Sequence, residues 1–190
     1  MGNKLPSNFS CSKYGLFVRL VTEEDAAFII KLRTDEKLSK FISRVDNDVN
    51  KQREWIREYK KREAIGTDYY FIYFYNDTPI GINRVYNVHD GVFTFGSWIC
   101  LDKLPFNIPM ATAIIAREIG FYELGCYKEL EIGGTHVDNK KVLRFSEMLG
   151  MIYDGTMELE KGTYRTGYLT KEAFENHVDD VKRFIPNATI

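Results

Sequence analysis

The chain has 190 residues, 44% of them hydrophobic, and its 26 basic side chains face 27 acidic ones for a formal charge of −1. That length and apolar content suffice for one sizeable core and predict a single domain over 1–190. A balance this close to neutral excludes nucleic acid or an anionic membrane as the main partner on electrostatic grounds.

In chain order, Leu16, Val18 and Leu20 alternate with Phe17, Arg19 and Val21, which predicts a first strand. Thr22 follows as a helix N-cap, with Glu23, Glu24 and Asp25 in the first turn, where the helix dipole favours negative charge. Ala26, Ile29, Ile30 and Arg33 form the inner face of that helix. A second helix, about 50–62, buries Trp55, Ile56 and Tyr59; its Lys51 to Arg62 basic run interleaves with Glu54 and Glu58 as a solvated face. The aromatic run 69–75 has high β propensity. Asn76-Asp77-Thr78-Pro79 turns it into a strand at 80–88, and His89-Asp90-Gly91 supplies a hairpin into 92–100. A third helix begins at Pro109, a favoured first-turn residue, and carries Met110, Ile114, Ile115, Ile119 and Tyr122 inward. A short strand with Leu130 and Ile132 on one face runs through Gly133-Gly134 into a loop. Asn139 then opens, as an N-cap, a helix that ends at Gly150. A hairpin, 152–159 and 163–169 about Lys161-Gly162, precedes a last helix at 171–185 with Phe174, Val178, Val181 and Ile185 on one stripe.

Cys11, Cys100 and Cys126 are odd in number and widely spaced, with no CxxC and no His at ligand spacing. They predict neither a disulfide framework nor a metal site, and a reducing cytoplasm. No apolar run approaches the roughly 18 residues of a membrane span. No signal-peptide core is present at the start, and Pro6 interrupts the acylation pattern opened by Met1-Gly2. The expectation is a cytoplasmic protein without metal or membrane partner, and a homodimer built on sheet edges is compatible with its aromatic content.

The strand, Asn-opened helix and terminal Gly of residues 129–151, with Asn139, Val142, Leu149, Gly150 and Met151, resemble the C-terminal half of the acyl-CoA-binding motif of the GNAT superfamily of N-acetyltransferases. The element order, β-α-α-β-β-β-α-β-α-β-β-α, is similar to that superfamily's from about Leu16 to Leu169, giving a core at about 16–169. The opening F-V-R-L-V-T-E-E-D resembles its ribosomal-protein and amino-sugar branches. The resemblance implies an α+β, α/β/α layered fold with a mixed central sheet of about seven strands and flanking helices. It also implies direct acetyl transfer from acetyl-CoA, as co-substrate, to a small-molecule amine, with an amino sugar or nucleotide-linked amino sugar preferred. Acetylation of a protein N-terminus, and a binding module with a decayed cofactor loop, are the alternatives.

Acylating an amine requires a polarised thioester carbonyl, a neutral amine and a protonated leaving thiolate. The resemblance assigns the first task to backbone at Trp98, Ile99 and Cys100, on a strand that splays from its neighbour; Gly96 in mid-strand fits a bulge. Cys100 has no His or Asp spaced to activate it. The Gly-rich pyrophosphate loop of the family is here Lys103 to Met110, with Asn107 and Pro109 in the glycine slots. Asn107 tolerates left-handed backbone, Pro109 lacks an N–H and Lys103 supplies charge, while Asn139 is a further coenzyme contact. The family's tyrosine acid, seven residues past the Asn, is replaced by Ser146, a poorer acid than a phenol of pKa about 10. For the base, His136 lies just past the fifth strand of this reading, with Asp138 and Glu131 as alternatives. Asp35, Asn83, Arg84, Tyr86, Ser97 and Tyr164 are the candidates for the acceptor pocket.

Overall fold

The structure is a computed structural model and describes residues 3–185. The acylation pattern at Met1-Gly2 and the ends of the 1–190 span lie outside the described residues. Eight strands form one sheet in the order β1-β2-β3-β4-β5-β6-β8-β7, with β1 Ser10–Lys13, β2 Leu16–Leu20, β3 Asp68–Tyr75, β4 Thr78–His89, β5 Val92–Cys100, β6 Lys128–His136, β7 Ile152–Leu159 and β8 Gly162–Thr170. The strand beyond the expected seven is β1. Its polar sequence Ser-Cys-Ser-Lys carries no alternation, and only pairing with β2 across the left-handed Tyr14-Gly15 turn makes it a strand.

Helices cover both faces. α1 (Ala26–Thr34) and α2 (Val49–Ile65) pack one side, where Ile29, Leu32, Ile56 and Tyr59 meet Tyr70, Ile72, Ile82 and Ile99. α3 (Asn107–Glu118), α4 (Lys140–Met148) and α5 (Lys171–Lys182) pack the other against Tyr69, Phe71, Tyr73 and Phe93. The aromatic run of β3 therefore serves two cores by simple alternation, as a central strand buried on both faces must. Among the described residues no helix is long and apolar enough to cross a membrane.

Several boundaries depart from the pattern for local reasons. Glu23–Asp25 is a 3₁₀ turn ahead of α1, not its first turn. Asp25 instead accepts the Thr22 N–H (2.8 Å) and a bidentate pair from Arg19 (2.7 and 2.8 Å). α3 starts two residues before Pro109, which occupies its third position, and Met110 is only half-buried. Tyr122 is 42% exposed because a π-helical turn, Ile119–Glu123, shifts the phase and sends Phe121 inward. α5 ends at Lys182, and Ile185 packs from the turn beyond it.

Two irregularities open a cleft in the sheet. β5 and β6 run parallel but pair only at Val92–Lys128 and Phe93–Glu129, then diverge. On β5 an extra residue sits opposite Asn83, because Ile82 faces Ile99 while Arg84 faces Gly96; Ser97 takes φ 51° in this bulge. On β6 two residues, Gly133 and Gly134, are looped out between Ile132–Thr166 and Thr135–Arg165.

Candidate functional site

The divergence of β5 from β6 leaves a cleft of about 370 Å³ whose walls include Ser97, Trp98, Glu131, Asn139, Ser146 and Tyr164. Trp98 is held from the α3 side: its indole N–H donates to Thr112 Oγ1 (3.0 Å), and that hydroxyl donates to the Pro109 carbonyl (2.7 Å). The ring lies against Phe95 and Phe145 at centroid distances of 5.9 and 5.5 Å.

The floor is a buried ion pair. Arg117, 1% exposed, donates to both carboxylate oxygens of Glu129 (2.8 and 3.0 Å) and stacks 4.2 Å over Phe95. Two residues along the same strand, and so on the same face, stands Glu131, 3% exposed, with Oε1 buried and without a hydrogen-bond partner among the described residues. Burial first, and the Glu129 charge second, push its carboxyl up to about 7, against the pull of Thr135 and Arg117. A Cβ at Gly134 would lie 2.8 Å from Glu131 Oε1, so the looped-out glycine makes room for the carboxylate. A near-neutral pKa in a cleft is what a general base at physiological pH requires.

Across the sheet Glu131 pairs with Gly167, and Gly167 with Tyr153, so a glycine alone separates the two side chains. The Tyr153 hydroxyl is also buried without a partner among the described residues, lies beside Ser146, and is pushed up to about 12, chiefly by burial. Ser146 itself is buried and lines the cleft, not the solvated helix face.

The remaining sequence candidates divide. Tyr86, Ser97, Trp98, Asn139 and Tyr164 come together around the cleft. Asn139 opens α4, but its side chain makes no capping bond; its N–H goes to the His136 carbonyl (2.9 Å). Ile99 is buried in the α1–α2 core. The Cys100 thiol sits 3.8 Å from the Thr112 hydroxyl, and burial pushes it up to about 11, far from a thiolate at neutral pH. Lys103, not Asn107, carries the left-handed backbone (φ 65°); Asn107 is the first, buried residue of α3. Met110 packs half-buried against the α3 core. The Ile108 N–H is already given to the Pro105 carbonyl (3.0 Å), so with Pro109 this helix mouth offers fewer free amides than a glycine-rich one.

Three acceptor candidates face elsewhere. Asp35 is exposed and accepts the Lys37 and Leu38 amides in a turn. Asn83, fully buried, accepts from the Tyr73 hydroxyl (3.0 Å) and donates to the Thr112 carbonyl (3.1 Å), because strand alternation points it at α3. Arg84 alternates to the α2 side, where Asp68 takes its guanidinium (2.5 and 3.2 Å). His136, the first choice for a base, has both ring nitrogens engaged: Nδ1 accepts the Asp138 N–H (3.0 Å) and Nε2 meets the Lys161 carbonyl (3.2 Å). Sequence reasoning held Glu131 only as an alternative and did not single out Arg117, Glu129 or Tyr153. A lone Arg on the apolar face of α3 was the available signal, since such a charge must find a buried partner.

A family profile described as the acetyltransferase (GNAT) domain matches residues 16–152. Among solved structures, apo FdhC, a nucleotide-linked sugar GNAT, is 32% identical, covering 94% of this chain and 99% of its own with a TM-score of 0.75. Spermidine N-acetyltransferase from Vibrio cholerae in complex with CoA and spermine is 16% identical, covering 86% and 100% at a TM-score of 0.71. Ribosomal-protein-S5-alanine acetyltransferase from Vibrio fischeri is 13% identical, covering 87% and 98% at 0.72. The last two are similar in fold alone. No curated protein sequence matches significantly.

Proposed function

The chain belongs to the GNAT acetyltransferase family, and from that premise we propose that it transfers an acetyl group to the primary amine of a nucleotide-linked amino sugar, with Glu131 as general base. N-acetyl transfer is the activity of the family, whose co-substrate is acetyl-CoA. The observation that carries the assignment of the base is the Glu131 carboxyl: buried at the cleft wall, with a pKa raised to about 7 and one oxygen without a hydrogen-bond partner among the described residues. The acceptor class rests on the 32% identity to a nucleotide-linked sugar enzyme over almost the whole of both chains.

The walls fit the co-substrate. Beyond Phe93 the β5 edge has no β6 partner, and the Ser97–Trp98 bulge lines the opening. Acetyl-CoA would supply the activated acyl group, held along this edge with Asn139 across from it. Trp98, fixed by Thr112, walls the same stretch and excludes water. Glu131 takes the proton from the amine. The Ser146 hydroxyl, with the Tyr153 phenol behind it, donates a hydrogen bond to the departing sulfur in place of the family's helix tyrosine, and the thiolate takes its proton from solvent. Tyr86 and Tyr164, both lining the cleft, are the aromatic groups available to the acceptor.

Calorimetry with acetyl-CoA on wild type and Asn139→Ala tests the first half. Micromolar binding weakened by the substitution supports it, and no binding at millimolar concentration leaves a binding module. An acylation assay comparing a nucleotide-linked amino sugar with spermidine and an N-terminal Ala peptide tests the second. Preference for either of the latter two overturns the acceptor assignment.

A further inference from the structure

His136 is the last residue of β6, two residues past the looped-out Gly134, and pairs with Tyr164 of β8. Its ring stacks on Phe41 at 5.1 Å and 29°, and meets Tyr164 edge-on at 5.1 Å. Because Nδ1 accepts the Asp138 N–H, the ring proton resides on Nε2, which donates it to the Lys161 carbonyl in the β7–β8 turn. That turn is shaped for the contact. Gly162 has φ 119°, and a Cβ there would lie 3.0 Å from His136 Nε2. The Lys161 ammonium in turn bonds the Ile42 carbonyl, next to Phe41.

One imidazole thus joins three segments distant in sequence: the end of β6, the β7–β8 turn, and the 35–48 connection between α1 and α2. Phe41, Ile42, Lys161 and Tyr164 all line the cleft, whereas His136 stands behind them. A general base needs a lone pair directed at the substrate, and neither ring nitrogen has one to spare. We infer that His136 is a positioning residue for the acceptor, locking the 35–48 connection and the β7–β8 turn together as one wall of the acceptor end of the cleft. The inference rests on the acyl-transfer reading above and deepens it, by naming what shapes the acceptor side. Trp98 and the Asn139 side chain, proposed for acetyl-CoA, make no hydrogen bond or ring pair with the imidazole among the described residues, and Asn139 meets His136 only through the backbone, so the two ligands are affected unequally.

The test is His136→Ala, His136→Gln and His136→Asn in the full chain. Removing the ring raises KM for a nucleotide-linked amino sugar about tenfold, the cost of losing a preorganised wall, with kcat within about threefold. The acetyl-CoA dissociation constant and the acidic limb of the pH–rate profile stay in place. Gln, whose amide nitrogen reaches the Nε2 position and donates to the Lys161 carbonyl, recovers acceptor KM better than Asn, which reaches only the Nδ1 position. In the free enzyme, amide hydrogen exchange across 36–43 and 159–163 accelerates in His136→Ala. A kcat loss of a hundredfold with disappearance of the acidic limb would overturn the inference and make His136 the base. Unchanged exchange together with unchanged KM would overturn it in favour of an inert histidine. The exchange measurement needs no acceptor. If wild type fails to acylate the amino sugar, the acceptor reading falls while exchange alone still decides the locking role.

Discussion

Replacing Glu131 by Gln separates activity from stability in a way that the burial of the carboxylate dictates. In the unfolded chain the carboxyl titrates at its ordinary 4.5, and in the folded protein at about 7. Each pH unit is worth about 1.4 kcal/mol, so ionising Glu131 in place disfavours the fold by about 3 kcal/mol. The sign follows from proton counting: between 4.5 and 7 the folded state holds a proton that the unfolded state has lost. Stability from this group is therefore full below pH 4.5, declines as pH rises to about 7, and is flat above that. Glutamine keeps the shape and never ionises. At pH 8 Glu131→Gln is expected to melt up to about 10 °C higher than wild type, at roughly 2–4 °C per kcal/mol for a chain of this size. At pH 5 the difference shrinks to a small fraction. Activity moves the other way: kcat/KM for the amine falls about 10²–10⁴-fold, and the acidic limb near pH 7 disappears. Calorimetric melting and initial rates across pH 5–9 measure both. A variant within tenfold of wild type that retains the limb would refute the base assignment. Equal melting temperatures at pH 8 would refute the buried, ionised carboxylate itself.

Two further substitutions probe the scaffold under the site. Arg117→Met strands Glu129 without its partner in a fully buried position and is expected to cost about 3–5 kcal/mol in denaturant unfolding, most of it recovered by adding Glu129→Leu. Gly167→Ala would place a Cβ 2.1 Å from the Ile152 carbonyl, a backbone atom that cannot step aside; its loss should exceed the roughly 1–3 kcal/mol of ordinary overpacking. In Gly125→Ala the nearest contact is 3.8 Å, so only the left-handed backbone (φ 69°) is strained, and thermal melting should register a much smaller drop.

By itself the sequence determined the order of the elements after β1 and the buried side of several of them, although on β6 Glu129 and Glu131 face inward while Ile132 is exposed. Those properties are local: the alternation in β2, the aromatic run of β3 and the stripe of α5 each follow from the period of their own backbone. The start of α5 at residue 171 was legible for the same reason; in the structure the Thr170 hydroxyl caps it by accepting the Ala173 N–H (3.1 Å). The polar strand β1 was not, since its only reason to be extended is the partner beside it. Nor was the outward turn of Tyr122, set by a π-helical turn that leaves no periodic mark.

The site divides along the same line. Tyr86, Ser97, Trp98, Asn139 and Ser146 were found as positions, but their assembly around one cleft depends on the divergence of β5 from β6. Only the tertiary structure distinguishes the surroundings of His136 from those of Glu131, the residue proposed as base. A histidine's usefulness as a base depends on which groups already hold its nitrogens, here Asp138, close in the chain, and Lys161, far from it. A glutamate's depends on how completely it is removed from water and how near another charge lies. Glu129 two residues away was visible in the chain, whereas the burial that lifts Glu131 toward neutrality is made by elements that meet only when the sheet closes over it.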